Sequence, residues 1–294
     1  MDEVTLPVLP ELPSIDFSHT AEVRALARER RDHMFGAPDV DYIDEFMDAI
    51  DELFSGRHPD YQAMDTAYHD ISHTLQATLC LAELLHNRHF SAATPRIDED
   101  DFRRALIAVL FHDIGYLKHK DDTVGTGAKY THLHEQRSCE FVRAYLSRRA
   151  WLPADIRAVE NLISATGPGA DIQGIPFQSE TARLLGWAVC TADYIGQMSD
   201  PGYPDKLKVL FREFEESYRY QRTPASEWPF SSYEDMLRGT PNFWNTFVQH
   251  KLNVECAGVS SHLQHPRSGR NPYMDSIARN LAVIERRIAR LDAG

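Results

Sequence analysis

The chain has 294 residues, 43% hydrophobic and 26% charged, which is ordinary for a globular protein and ample for a sizeable core. A net charge of -13 argues against a general nucleic-acid-binding face, because neutralising a phosphate backbone needs a basic surface. The N-terminus carries neither a basic segment nor a long apolar one, and no run approaches the roughly 18 uninterrupted apolar residues of a membrane span. A cytoplasmic protein with no membrane partner and no extended nucleic-acid partner is therefore expected. Cys80, Cys139, Cys190 and Cys256 are widely spaced with no CxxC, and read as core thiols of a reducing compartment.

Residues 1–20 hold Pro7, Pro10 and Pro13 without a sustained period, which predicts an extended arm. From about Thr20 the pattern turns helical: Val23, Leu26 and Ala27, then Ile43, Phe46, Met47 and Ile50, then Leu53 and Phe54. A strong helix is expected from about Met64 to His86, central to the fold because Thr78–Leu85 is apolar on most sides. Asp98–Asp101 supply acidic residues to the start of a helix over 101–114, the end where negative charge is stabilised. Asp121–Lys129 reads as a flexible loop. Helices follow over Leu133–Ser147, from Pro153 to about Ala165, over 180–198 and over 205–221. Gln221–Gly239 reads as a connection, and Pro272–Leu291 as a basic amphipathic helix.

Period-two alternation is scarce and no repeat is visible, so the fold class expected is all-α. The organisation expected is an N-terminal arm and helices over 1–60, a core over 61–200, and a C-terminal helical extension over 201–294 packed on that core. The extension could lid a pocket or form the face of a homodimer.

His112-Asp113 sits in the apolar run Ala105–Tyr116, where an adjacent His and Asp would be costly to bury unless something binds them. A metal ion takes the imidazole lone pair and neutralises the carboxylate. Gly115 fits a helix stop that leaves room for a ligand. Asp193, in Val189-Cys-Thr-Ala-Asp-Tyr-Ile195, is a second carboxylate in an apolar helix that wants a partner. His69 and His73 stand four apart, which on a helix puts both on one face. Each part alone also fits a bland reading: a hydrogen-bonded pair at a helix end, a buried salt-bridge member, two partly exposed histidines. Taken together, nitrogen and carboxylate donors without thiolate suit Mn, Fe, Co, Ni, Zn or Mg. His86, His89, His250, His262 and His265 suggest no role.

Tyr68-His69-Asp70-Ile71-Ser72-His73, the His112-Asp113 dyad and Asp193 together resemble the HD superfamily of metal-dependent phosphohydrolases, over about residues 65–200. The first element is similar to the Tyr-His-Asn-x-x-His motif of the class I cyclic-nucleotide phosphodiesterases. The resemblance implies an HD-domain-like helical bundle in which His73, His112, Asp113 and Asp193 bind metal and His69 is the general acid. Asp70 stands where that motif has Asn, a departure that bears on His69 if the two touch. His134-Glu135-Gln136-Arg137-Ser138 resembles an element that supplies a ligand to a second ion, with Asp113 and a hydroxide bridging the two. His132 and His119 are weaker candidates, and Leu162–Thr166 lacks the last histidine such a site would hold. One or two divalent ions are therefore expected.

The implied activity is hydrolysis of a small-molecule phosphate ester, a nucleotide or cyclic nucleotide above all, by metal-activated hydroxide with His69 as acid. Lys118, His119 and Arg137 are candidates to neutralise phosphate, and Gln197 to contact the substrate. Phe243, Phe247 and Gln249 could form a purine clamp or belong to the core. Two other classes remain: an HD-type di-iron oxygenase acting on a small organic molecule, and a catalytically weak regulatory binding module.

Overall fold

The computed structural model of the protein describes residues 15–91, 93–167, 169–265 and 269–293. Most of the arm expected over 1–20 lies outside the described residues. Among them are ten α-helices and no strand, so the protein is all-α. Their order is α1 (Thr20–Phe35), α2 (Tyr42–Phe54), α3 (Ile71–Phe90), α4 (Glu99–Phe111), α5 (His134–Ser147), α6 (Pro153–Ile163), α7 (Glu180–Ser199), α8 (Tyr203–Gln221), α9 (Tyr233–Asn242) and α10 (Pro272–Asp292).

Local chemistry sets the boundaries. α3 begins at Ile71 rather than near Met64 because the Asp70 carboxylate accepts the His73 N–H and caps the helix. Just upstream, the Thr66 hydroxyl donates to the His69 carbonyl and holds that segment in an irregular turn. α4 opens with a reciprocal capping box between Asp98 and Asp101 and ends at Phe111, short of the His-Asp pair. α9 occupies part of the expected connection, started by the Ser232 side chain on the Asp235 N–H. Pro241 in its last turn lacks an N–H, and the chain continues in wide π-type turns over Phe243–Val248 and Lys251–Glu255. There Phe243 and Phe247 stack with centroids 5.1 Å apart and pack on the core.

α3 and α7 form the centre. α3 is buried without interruption from His73 to Arg88. At Gly196 of α7 an added Cβ would lie 2.8 Å from the Ala77 nitrogen, so glycine is what lets the two helices approach this closely. α1 and α4 flank α3, and α10 covers α7. Asn280 of α10 donates to the carbonyls of Met198 (2.8 Å) and Asp200 (2.7 Å) and so satisfies the end of α7. One contiguous apolar core runs through residues of all three expected segments. Each large aliphatic side chain sealed in it contributes on the order of 2 kcal/mol.

The 121–129 loop, expected to be flexible, is fastened. Thr126 donates from both its N–H and its hydroxyl to Glu216, and the Gly127 N–H donates to Asp65 at 2.7 Å. The four cysteines are free thiols, and all but the half-buried Cys139 are buried. Among the described residues no helix is long and apolar enough to cross a membrane.

Candidate metal centre

Three helices bring the site together. The first turn of α3 supplies His73, the two residues after α4 supply His112 and Asp113, and the middle of α7 supplies Asp193. His73 Nε2 lies 3.2 Å from His112 Nε2, 3.1 Å from Asp113 Oδ2 and 3.2 Å from Asp193 Oδ1. His112 Nε2 lies 3.2 Å from Asp113 Oδ2 and 3.5 Å from Asp193 Oδ1. All four side chains are buried. His112 Nδ1 donates to the Val109 carbonyl at 2.8 Å, which keeps the Nε2 lone pair turned into the cluster.

The turn after α4 is made differently from the glycine stop expected at Gly115. His112 keeps helical angles, Asp113 sits at φ -102° and ψ 5°, and a tight 3₁₀ turn over Ile114–Tyr116 carries the chain away. Gly115 is required by proximity instead: a Cβ there would lie 1.9 Å from the His134 carbonyl oxygen. Its N–H donates to Ser138 Oγ at 2.9 Å, and that hydroxyl donates onward to the His112 carbonyl. α5 is thereby pinned to the backbone on both sides of Asp113.

The residues fit a divalent cation. Asp113 Oδ2 is buried and receives no hydrogen bond, a state that is expensive for a carboxylate left alone. Burial opposes charge on the His73 ring, yet the carboxylates of Asp113 and Asp193 beside Nε2 hold it up to about 9. Burial likewise resists charge on His112, and Asp113 and then Asp193 carry it well above its ordinary value. Burial works against ionisation of Asp193, but the same two rings bring it down to about 2. The two carboxylates thus draw positive charge into the cluster, which a divalent cation bound by the deprotonated rings would supply.

His134, proposed for a second ion, stands beside this group. Its Nε2 lies 3.5 Å from Asp113 Oδ1, and its Nδ1 donates to the Thr131 carbonyl at 2.6 Å. The His134 ring stacks on Tyr116 (4.6 Å), and Tyr116 also stacks on His69 (4.5 Å). His119 is exposed and stacked on Tyr61, and His132 is exposed beside Tyr218. The structure joins neither to the cluster.

His69 does not share a helix face with His73, because it precedes the Asp70 cap. It still reaches the site: the two rings meet edge to face with centroids 5.6 Å apart. Asp70 is occupied as the cap, and the partner of His69 is Glu213 of α8. Glu213 Oε2 lies 2.6 Å from His69 Nδ1, while Oε1 accepts the Tyr68 N–H at 2.6 Å. Sequence reasoning missed Glu213. It is one of several acidic residues on a charged amphipathic helix, and its burial at 5% exposure is the only property that separates it from Glu215 and Glu216.

Three residues expected to contact substrate have partners within the protein. Lys118 is buried, with Nζ 2.7 Å from Asp65 and 2.7 Å from the Gly125 carbonyl, so its charge is neutralised inside the fold. Arg137 donates to the carbonyls of Gly115 and Leu117 (both 2.6 Å) and lies over the Tyr130 ring. Gln197 donates to the Asp193 carbonyl and to Asp193 Oδ1 (3.2 and 3.4 Å) and accepts from the Tyr68 hydroxyl at 2.8 Å. Its role is to orient Asp193. The side chains of Asp193 and His69 are 11% and 14% exposed against 2% for His112, so the centre meets solvent on the Asp193–His69 side.

No curated protein sequence matches the chain. A family model does, over residues 33–286, from the last turn of α1 into α10, a span that holds the whole His-Asp cluster together with His69, His134 and Glu213: the chain belongs to the Npun_R2479-like family.

Proposed function

We propose that this protein is a metal-dependent phosphohydrolase with an HD-type helical core, acting on a small phosphate ester such as a nucleotide or cyclic nucleotide. The observation that carries the reading is a buried two-histidine, two-aspartate cluster with a carboxylate-paired histidine at its solvent side. His73, His112, Asp113 and Asp193 would hold one divalent ion, and His134, beside the other oxygen of Asp113, would reach a second. Bound there, such an ion supplies Lewis-acid polarisation of a phosphoryl oxygen and an acidified water.

The chain's own residues do the rest. Glu213 accepts from His69 Nδ1, which leaves Nε2 as the nitrogen that can carry a proton to a departing alkoxide. The ring of Tyr116, flat against His69, and the Tyr68–Glu213 bond fix where that proton is delivered. Tyr68 and Gln197 hold the Asp193 carboxylate toward the two imidazoles. The low exposure of the cluster keeps competing water away from it and strengthens each charge interaction.

The test is elemental analysis of protein purified without added metal, beside His112→Ala and His69→Ala, with phosphate-ester turnover measured on all three. About one or two equivalents of metal are expected in the parent and in His69→Ala, and none in His112→Ala, with turnover lost in both variants. Iron near two equivalents without release of phosphate or alcohol from any ester would move the reading to the oxygenase chemistry that the same scaffold suggests. Absence of metal after incubation with Mn, Ni or Zn would overturn the enzyme reading.

A further inference from the structure

A cavity lies behind the turn that carries Asp113. It has a volume of about 190 Å³ and is walled by Ile114 and Gly115, by the 58–61 segment and by one face of α5. None of the cluster's ligands lines it, so it is a separate space that shares only the backbone after Asp113. Its size is informative: a cavity of about 150 Å³ holds one benzene ring. A single ring with one small substituent is what this space takes.

The lining gives the chemistry. Tyr61 and Phe141 make an aromatic corner, with centroids 5.7 Å apart and planes at 65°, against which a flat ring can pack face and edge. Arg148 is exposed on the rim, and no hydrogen bond or ion pair engages its guanidinium among the described residues. A guanidinium fork matches a carboxylate with two parallel bonds. His58 Nδ1 accepts the Asp60 N–H, which leaves its Nε2 as a donor on the same rim. Two carboxylates, Asp60 and Glu140, also stand on the exposed rim, and Glu140 takes a hydrogen bond from Gln136. They repel a dianion more than a monoanion.

We propose that this cavity binds a small aromatic monocarboxylate, with its ring on Tyr61 and Phe141 and its carboxylate on Arg148. The wall it would press on is Ile114–Gly115, whose carbonyl is held by Arg137 and whose N–H is held by Ser138. Occupancy therefore stiffens the backbone that presents His112 and Asp113.

The probe is benzoate, with phenyl phosphate and cyclohexanecarboxylate beside it, titrated by calorimetry into the full-length protein. Benzoate is expected to bind more tightly than either comparison compound. Arg148→Ala should weaken it about tenfold or more, the worth of one charge-assisted pair. Ala144→Trp, at an exposed position of α5 on the cavity wall, should fill the space and abolish binding while the metal content stays unchanged. No benzoate binding by the parent, or binding that neither variant alters, would overturn the proposal. So would tighter binding of phenyl phosphate that Ala144→Trp abolishes, since the rim carboxylates would then not select charge at this cavity.

Discussion

Glu213→Gln isolates the role of the histidine at the edge of the centre. The substitution keeps shape and volume and removes a charge that touches none of the cluster residues. Glu213 accepts two short bonds, from His69 Nδ1 and from the Tyr68 N–H, both at 2.6 Å. A glutamine carbonyl can still accept from Tyr68, so that bond survives in weaker form. The amide nitrogen then faces His69 Nδ1 as a donor, which reverses the tautomer and places the ring proton on Nε2. Replacing one charge-assisted bond by a neutral one costs about 1–2 kcal/mol of stability. General acid catalysis is worth roughly 10²–10⁴ in rate, or about 3–5 kcal/mol of barrier. Turnover should therefore fall much further than stability. The tautomer is read from ¹⁵N shifts of the His69 ring, and turnover from a pair of phosphodiesters, one losing an alkoxide and the other nitrophenolate. The alkoxide ester should lose roughly a hundredfold or more and the nitrophenyl ester less than about tenfold, because nitrophenolate leaves without a proton. Equal losses on both, or retained turnover of the alkoxide ester with the tautomer reversed, would refute the proton-donor role.

Gln197→Leu removes the amide that holds Asp193, and metal affinity measured by chelator competition should weaken about 10–100-fold with the helix intact. Gly115→Ala drives a methyl to 1.9 Å from the His134 carbonyl oxygen, so α5 must move. The expected destabilisation is about 3 kcal/mol or more, a fall of roughly 6 °C in melting temperature. Burial, aided by the nearby charge of Arg30 and by His33 and His89, pushes His86 down to about 4. The folded state therefore favours a neutral ring. The unfolded ring takes up its proton near pH 6.5, so this contribution is complete above that pH and is lost as pH falls toward 4. Urea unfolding across that window should show the loss, and His86→Gln should flatten it.

The four cluster residues were legible because each is a polar group set in an apolar helical run, a combination that sequence periodicity exposes directly. The helices themselves followed from the same periodicity, as α2, α5 and α10 illustrate. What periodicity did not expose was anything decided by a specific contact, whether local or distant in the chain. Asp70 shortens α3 and so takes His69 off the helix. Gly115 looked like a helix stop and is a contact point. Lys118 reads from the sequence as a cation that could neutralise phosphate, but Asp65 pairs with it from more than fifty residues upstream. Glu213 could not be read at all, since nothing in an amphipathic charged helix says which acid turns inward. The π-type turns after Pro241 were equally silent, because wide and normal helical turns place apolar residues at similar spacing.

The His69–Glu213 pair spans 144 residues of chain, whereas the metal cluster closes with α7. During synthesis the two halves of the site therefore come into existence at different moments. By the time Asp193 has left the ribosome, the nascent chain holds every residue of a cation trap, but the carboxylate that orients His69 is still to be translated. On the proposed reading, the residues that would hold a metal are thus all present before the carboxylate that would orient the proton donor, and a protein cut between α7 and α8 would lack Glu213 altogether.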